Sequence, residues 1–182
     1  MKTTALNSLK YTGIVTLYRY SGSKKIKIAE IQNTGGDSLF NFLAECLVGD
    51  FDTASVSRPN KIMLLEEITD EKDERGEPVP AYLVSKSGFI YLLSKPEKTY
   101  DSTNKKCTVC FSFKIPRDML ESANTSSLCI GLYANNINIL DIDNWAALVK
   151  NIPINGSQIL ASSSYLLDWQ LNITNTSNAS NV

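Results

Sequence analysis

Apolar and polar residues alternate most regularly near the end of the chain. In Tyr165-Leu-Leu-Asp-Trp-Gln-Leu-Asn-Ile-Thr174, residues Tyr165, Leu167, Trp169, Leu171 and Ile173 share one face, with Leu166, Asp168, Gln170, Asn172 and Thr174 opposite. That pattern predicts a strand buried on one side and wet or partner-facing on the other. β-Branched and aromatic content predicts a second strand over Gly13 to Tyr20. Ser21 to Lys25 reads as a turn, and Ile26 to Ile31 alternates apolar with polar in its first half, completing an N-terminal hairpin. Further strands are expected at Lys61 to Leu65, at Tyr82 to Ser85 paired with Gly88 to Leu93, at Cys107 to Ile115 and at Leu128 to Tyr133. Ser94 to Lys106 reads as a polar connection between them.

Punctuation residues fix the remaining elements. Asp37 follows the breaker Asn33-Thr-Gly-Gly36 and is suited to accept the free N–H groups of a first helical turn. Leu39, Phe40, Leu43 and Leu47 then recur at helical spacing, and Gly49 stands where a left-handed residue ends a helix. One amphipathic helix over about 38–48 is the result, seated on the sheet by those four side chains. Asp118 to Ser122 and Asn144 to Val149 are candidates for one or two further short helices. Pro59 makes the entry to its strand extended, and Pro116 ends the strand before it because it cannot donate to a ladder. Gly131, inside a strand, marks a bulge or a close backbone approach. Many short strands with few helices make the fold class mainly β, an antiparallel β-sandwich or barrel-like domain.

Composition narrows the chemistry. The 182 residues suffice for one domain, with 18 Lys+Arg against 19 Asp+Glu and no histidine. A near-neutral balance argues against nucleic acid as a partner, since phosphate contacts need clustered Lys and Arg. The missing histidine excludes Ser-His-Asp, Cys-His and zincin chemistry. Asn33-Thr-Gly-Gly36 is too short and lacks the lysine of a phosphate loop. Cys107-Thr-Val-Cys110 has the spacing of a redox pair or half a zinc site. In a strand, however, those two side chains point to opposite faces, and no second pair completes a tetrahedral set, which favours buried thiols. Cys46 and Cys129 are the other cysteines. Glu66 to Pro80 carries seven carboxylates against Lys72 and Arg75, out of register for a calcium loop, and reads as a solvated, mobile loop. The five N-x-S/T matches, at Asn124, Asn155, Asn172, Asn175 and Asn178, read as unmodified loop and tail residues. Met1 to Lys10 lacks the apolar core of a signal peptide, and no stretch is long and apolar enough to span a membrane as a helix.

The order of the segments carries more than any one of them. Asn33-Thr-Gly35, an amphipathic stretch from Leu39 to Gly49-Asp50, Arg58-Pro59-Asn-Lys-Ile62-Met-Leu64, Phe113-Lys-Ile-Pro116, Ile130-Gly-Leu-Tyr133 and Trp169-Gln-Leu-Asn-Ile-Thr-Asn175 follow one another collinearly. This succession, over roughly Tyr11 to Asn175, resembles small virion proteins of tailed bacteriophages, including those of crAss-like podoviruses. Cys129 stands where that pattern carries an acidic residue, and Lys150 matches its basic position only loosely. The resemblance implies a non-enzymatic structural component: a capsid auxiliary or decoration protein, a head-fibre base, or a neck or collar piece. It also implies a virion location after assembly in the host cytoplasm. Implied partners are other virion proteins (capsid, portal or neck, fibre subunits) or further copies of the chain, with no membrane, nucleic acid, metal or cofactor.

The corresponding domain division is a flexible arm at 1–10, one β-rich domain over 11–175 and a flexible tail at 176–182. Docking is expected through the arm, with Leu6 and Leu9, through the acidic loop Glu66 to Glu77, with Glu71, Asp73 and Glu74, and through the tail Thr176 to Val182. Two other classes compete. A carbohydrate-binding sandwich needs exposed Tyr or Trp platforms, whereas most aromatics here fall at core positions. A carboxylate glycosidase needs two convergent carboxyl groups, and here the acids cluster in one loop or stand singly, as Glu30 and Asp168 do.

Overall fold

The computed structural model describes residues 8–33, 59–122, 128–134, 140, 143, 145–161 and 163–176. The expected helix over 38–48, with Asp37, Leu39, Phe40, Leu43, Leu47 and Gly49, lies outside them, as do Leu6 and Cys46.

Among the described residues ten strands form two antiparallel sheets. The first has the order β2-β1-β10-β7-β6, built from β1 (Ser8–Ser21), β2 (Lys24–Asn33), β6 (Glu97–Asp101), β7 (Lys106–Ile115) and β10 (Ser164–Thr176). The second has the order β4-β3-β8-β9, built from β3 (Pro59–Ile68), β4 (Tyr82–Ser85), β8 (Leu128–Ala134) and β9 (Ala147–Val149); β5 (Ile90–Tyr91) also pairs with β3. The helix α1 (Arg117–Ser122) follows β7 directly after Pro116 and buries Leu120. A mainly β, sandwich-like fold is the result, not a closed barrel among the described residues.

The alternation in β10 sets the layering. Tyr165, Leu167, Trp169 and Leu171 are buried against Phe111 and Phe113 of β7 and Val15 and Leu17 of β1. Ile62 and Leu64 of β3 and Ile130 and Leu132 of β8 close the same core from the other sheet. Each such side chain contributes about 1.5–3 kcal/mol when removed from water. The second sheet is apolar on its far face as well. Met63, Leu65, Leu83, Cys129 and Tyr133 form a separate buried cluster with Phe89, Trp145 and Leu148 packed against it. Gly131 lies under this cluster, and the ring of Tyr133 covers it so closely that an added Cβ would sit 2.6 Å from the ring. That is the close approach its position in a strand predicted.

The hairpin β1–β2 turns at Gly22, whose φ of 59° is easy for glycine. Its register shifts between Leu17 and Tyr18, which face Ala29 and Lys27. Ile28 is therefore the extra residue of a bulge, and the bulge returns Ala29 and Ile31 to the face that Ile26 occupies. This explains why the apolar alternation of β2 holds only in its first half.

Several expectations need correction. Asn144 to Val149 contains no helix among its described residues; Ala147–Val149 is a strand paired with Ile130 to Leu132 of β8. Three residues are too few for a period, and a compact apolar stretch reads equally as either element. The polar connection over Ser94 to Lys106 contains β6, which is exposed along its whole length and so has no hydrophobic signature. β4 and β5 do not pair with each other; both pair with β3, at Leu65 to Ile68 and at Lys61 and Ile62. Ser8 to Lys10, assigned to the arm, belongs to β1 and pairs with Thr174 to Thr176, so the first residue of the expected tail is strand too. Residues 177–182 lie outside the described part.

Candidate functional site

The outward face of the first sheet is polar, and part of it is concave. Because side chains alternate, the residues that oppose the core on β10 are Leu166, Asp168 and Gln170, and on β7 they are Thr108, Cys110 and Ser112. These six form the floor of a groove of about 360 Å3, with Glu97 and Thr99 of β6 on one side and Lys25 of β2 on the other. Asp168 organises it. Its carboxylate accepts from Ser112 Oγ at 2.7 Å and from Lys25 Nζ at 3.2 Å. Beside it, Thr108 Oγ1 donates to Asn172 Oδ1 at 2.8 Å. Asp168, Asn172 and Thr16 each lie at least nine-tenths buried although they point away from the core.

Electrostatics follow from that arrangement. Lys25 Nζ also sits 3.8 Å above the ring of Tyr18. Burial alone would lower the Lys25 pKa, but the hydrogen bond and charge of Asp168, helped by Tyr20 and Tyr18, outweigh it and hold the ammonium above its ordinary value. Burial, followed by the charge of Asp168, pushes the Cys110 thiol up, which disfavours the thiolate that nucleophilic or metal chemistry needs.

The two cysteines of the C-x-x-C spacing stand on opposite faces of β7: Cys107 opposite Ile173 of β10, Cys110 opposite Gln170 in the groove. Among the described residues no three Cys, Asp or Glu side chains gather where a metal could sit.

The acidic segment is distributed and well hydrogen-bonded. Glu66 and Glu67 belong to β3, where Glu66 pairs with Lys86 at 2.6 Å and Glu67 pairs with Lys150. Beyond them the hairpin tip is held by Asp73, whose carboxylate accepts from the amides of Arg75 at 2.8 Å and Glu77 at 2.9 Å. Glu71 accepts from the Tyr82 hydroxyl at 2.7 Å. Glu74 is exposed. Thus Glu71 and Asp73 build the hairpin rather than stand free, and Leu9 lies in β1 opposite Asn175. Trp169, Pro59 and Gly131 are buried structural positions, and Pro116 separates β7 from α1.

A second feature lies at an edge. After β5, the chain crosses from one sheet to the other: Leu92 bridges to Phe113 of β7, and Leu93 N–H donates to Ser112 O at 2.8 Å. It then runs on as β6, which among the described residues is an edge strand of the first sheet. Tyr91, Leu93 and Tyr100, along this one stretch, are 61%, 58% and 67% exposed.

Neither the groove nor this edge was singled out by sequence reasoning. The groove gathers residues from four strands distant in sequence, and the one local signal was the polar face of β10. The edge could have been suspected only from Tyr91, Leu93 and Tyr100 recurring in an otherwise polar stretch. Comparison of the chain with protein-family models, with curated proteins and with solved structures finds no match.

Proposed function

We propose that the protein is a non-enzymatic structural subunit of a tailed-phage virion, a capsid auxiliary, head-fibre or collar piece that acts through protein contacts. The observation that supports this best is the edge from Tyr91 to Asp101. An edge strand offers unpaired N–H and C=O groups to an incoming chain. Here it also carries Leu93 and Tyr100, two large side chains that are 58% and 67% exposed, with Tyr91 of β5, 61% exposed, shortly before it in the chain. Glu97, Lys98 and Asp101 on the same strand carry charges of both signs, which would select a complementary neighbour and discourage indiscriminate pairing. The collinear resemblance of the sequence to small virion proteins supplies the identity of that neighbour, another subunit of the particle.

The test is the double variant Leu93→Asp, Tyr100→Asp. Both side chains are exposed, so the isolated protein should keep its melting behaviour to within about 0.5 kcal/mol. It should no longer co-purify with particles assembled in the host. Incorporation at the level of the unaltered protein would overturn the reading.

A further inference from the structure

We infer that the groove on the outward face of the first sheet is a binding site for a neutral saccharide, a role beyond that of a structural subunit. Its volume of about 360 Å3 lies within the range of small-molecule sites, roughly 300–1,000 Å3. Its lining decides the ligand class by elimination. Two carboxylates, Asp168 and Glu97, face one ammonium, Lys25, whose charge is already engaged by Asp168. A phosphate or other anion would meet net repulsion there. Leu166 is the one aliphatic side chain in the lining, and a flat apolar ligand would strip water from hydroxyls and carboxylates without replacing their hydrogen bonds.

A neutral polyol answers both objections. It brings donors and acceptors on every face, and the groove supplies both: the hydroxyls of Thr99 and Thr108, the amide of Gln170, the Glu97 carboxylate and the Lys25 ammonium. Leu166 offers a patch for the C–H side of a ring. The groups are also fixed in advance. Asp168 is held by Ser112 and Lys25, and Thr108 by Asn172, so this part of the floor has little side-chain freedom to lose on binding, while Glu97 and Thr99 stand on exposed β6. An ordinary solvated sheet face has its polar side chains standing in water, whereas Asp168, Asn172 and Thr16 are buried on this one. The aromatic platform that sequence reasoning required of a sugar site is not what this groove uses; hydrogen-bonding groups take its place.

The experiment titrates the full chain, isotopically labelled, with glucose, galactose, mannose and N-acetylglucosamine and their disaccharides, following backbone amides. Inorganic phosphate and trilysine serve as charged probes. At least one saccharide should shift the amides of Thr99, Thr108 and Gln170 with Kd near or below about 1 mM. Gln170→Ala and Glu97→Ala, each at a position that stays accessible to solvent, should weaken it by about tenfold or more while leaving the melting temperature unchanged. Glu74→Ala, at the distant hairpin tip, should bind as the unaltered protein does. Three results would overturn the inference: no saccharide moving those amides, binding indifferent to both groove substitutions, or trilysine occupying the groove in preference to every sugar.

Discussion

Gly131 leaves no room for a side chain. A Cβ there would lie 2.6 Å, 2.8 Å and 2.9 Å from Cε2, Oη and Cζ of Tyr133. The ring cannot swing aside, because it is fully buried and meets the edge of Phe89 at a centroid distance of 5.4 Å. Gly131→Ala should therefore destabilise the protein by about 1–3 kcal/mol, as overpacking does in a filled core, and a urea melt measures it. Alanine ordinarily suits a strand no worse than glycine, so a neutral result would mean that the Tyr133 ring has another place to go. Lys61 shows how a cation is accommodated in the same cluster. It is buried, its Nζ stands 4.1 Å above the ring of Phe89, and burial lowers its pKa.

Elements long enough to repeat a buried pattern were legible in the sequence, and those too short or wet on both faces were not. β10 and β8 declared themselves because burial of one or both faces forces a periodic or continuous apolar pattern. β6, wet on both faces, carries no such pattern, and β9 is too short for one. Bulges leave a mark only to a reader who expects them: Ile28 appears in the sequence as a lapse in alternation. The hairpin between β3 and β4 was visible as a run of acids, yet its architecture was hidden, because side chain to backbone bonds have no period. Asp73 is the case in point. Its two accepted hydrogen bonds hold the tip in water, where solvent competes for the same amides. Asp73→Ala should raise amide exchange at Arg75 and Glu77 while global stability falls by no more than about 1 kcal/mol. Loss of the whole fold would show that the tip is coupled to the core.

At the scale of the whole molecule, protonation links the two faces of the sandwich to pH. Burial pushes the thiols of Cys110 and Cys129 above 9.0, the Tyr133 hydroxyl above 10.0, and Asp168 holds Lys25 above 10.5. Each group binds its proton more tightly folded than unfolded. The stability it contributes is fully present below the unfolded value and is lost as pH climbs through the folded one. Lys61 has the opposite sign, since burying its charge becomes less costly as it deprotonates. These four groups, with exposed Tyr82 raised in the same sense by its hydrogen bond to Glu71, oppose Lys61 and predict a urea midpoint that declines from about pH 9 upward, with Cys110→Ala removing part of the earliest decline. A midpoint unchanged between about pH 8 and pH 11 would contradict this.

The place of β10 in the first sheet also sets an order in time. It lies between β1 and β7, paired with β1 from Ser8 to Tyr20 and with β7 from Lys106 to Ile115, yet it is made after the nine other strands of the described residues. Until β10 has been synthesised, the sides of β1 and β7 that it pairs with in the folded protein lack that partner. Trp169, Tyr165 and Leu167, the bulk of the core on that side, arrive after everything they pack against. The first sheet therefore closes late, by insertion of a single strand between two waiting edges. A nascent chain of this protein passes through a stage in which those edges are open to any extended segment nearby, including another copy of β10.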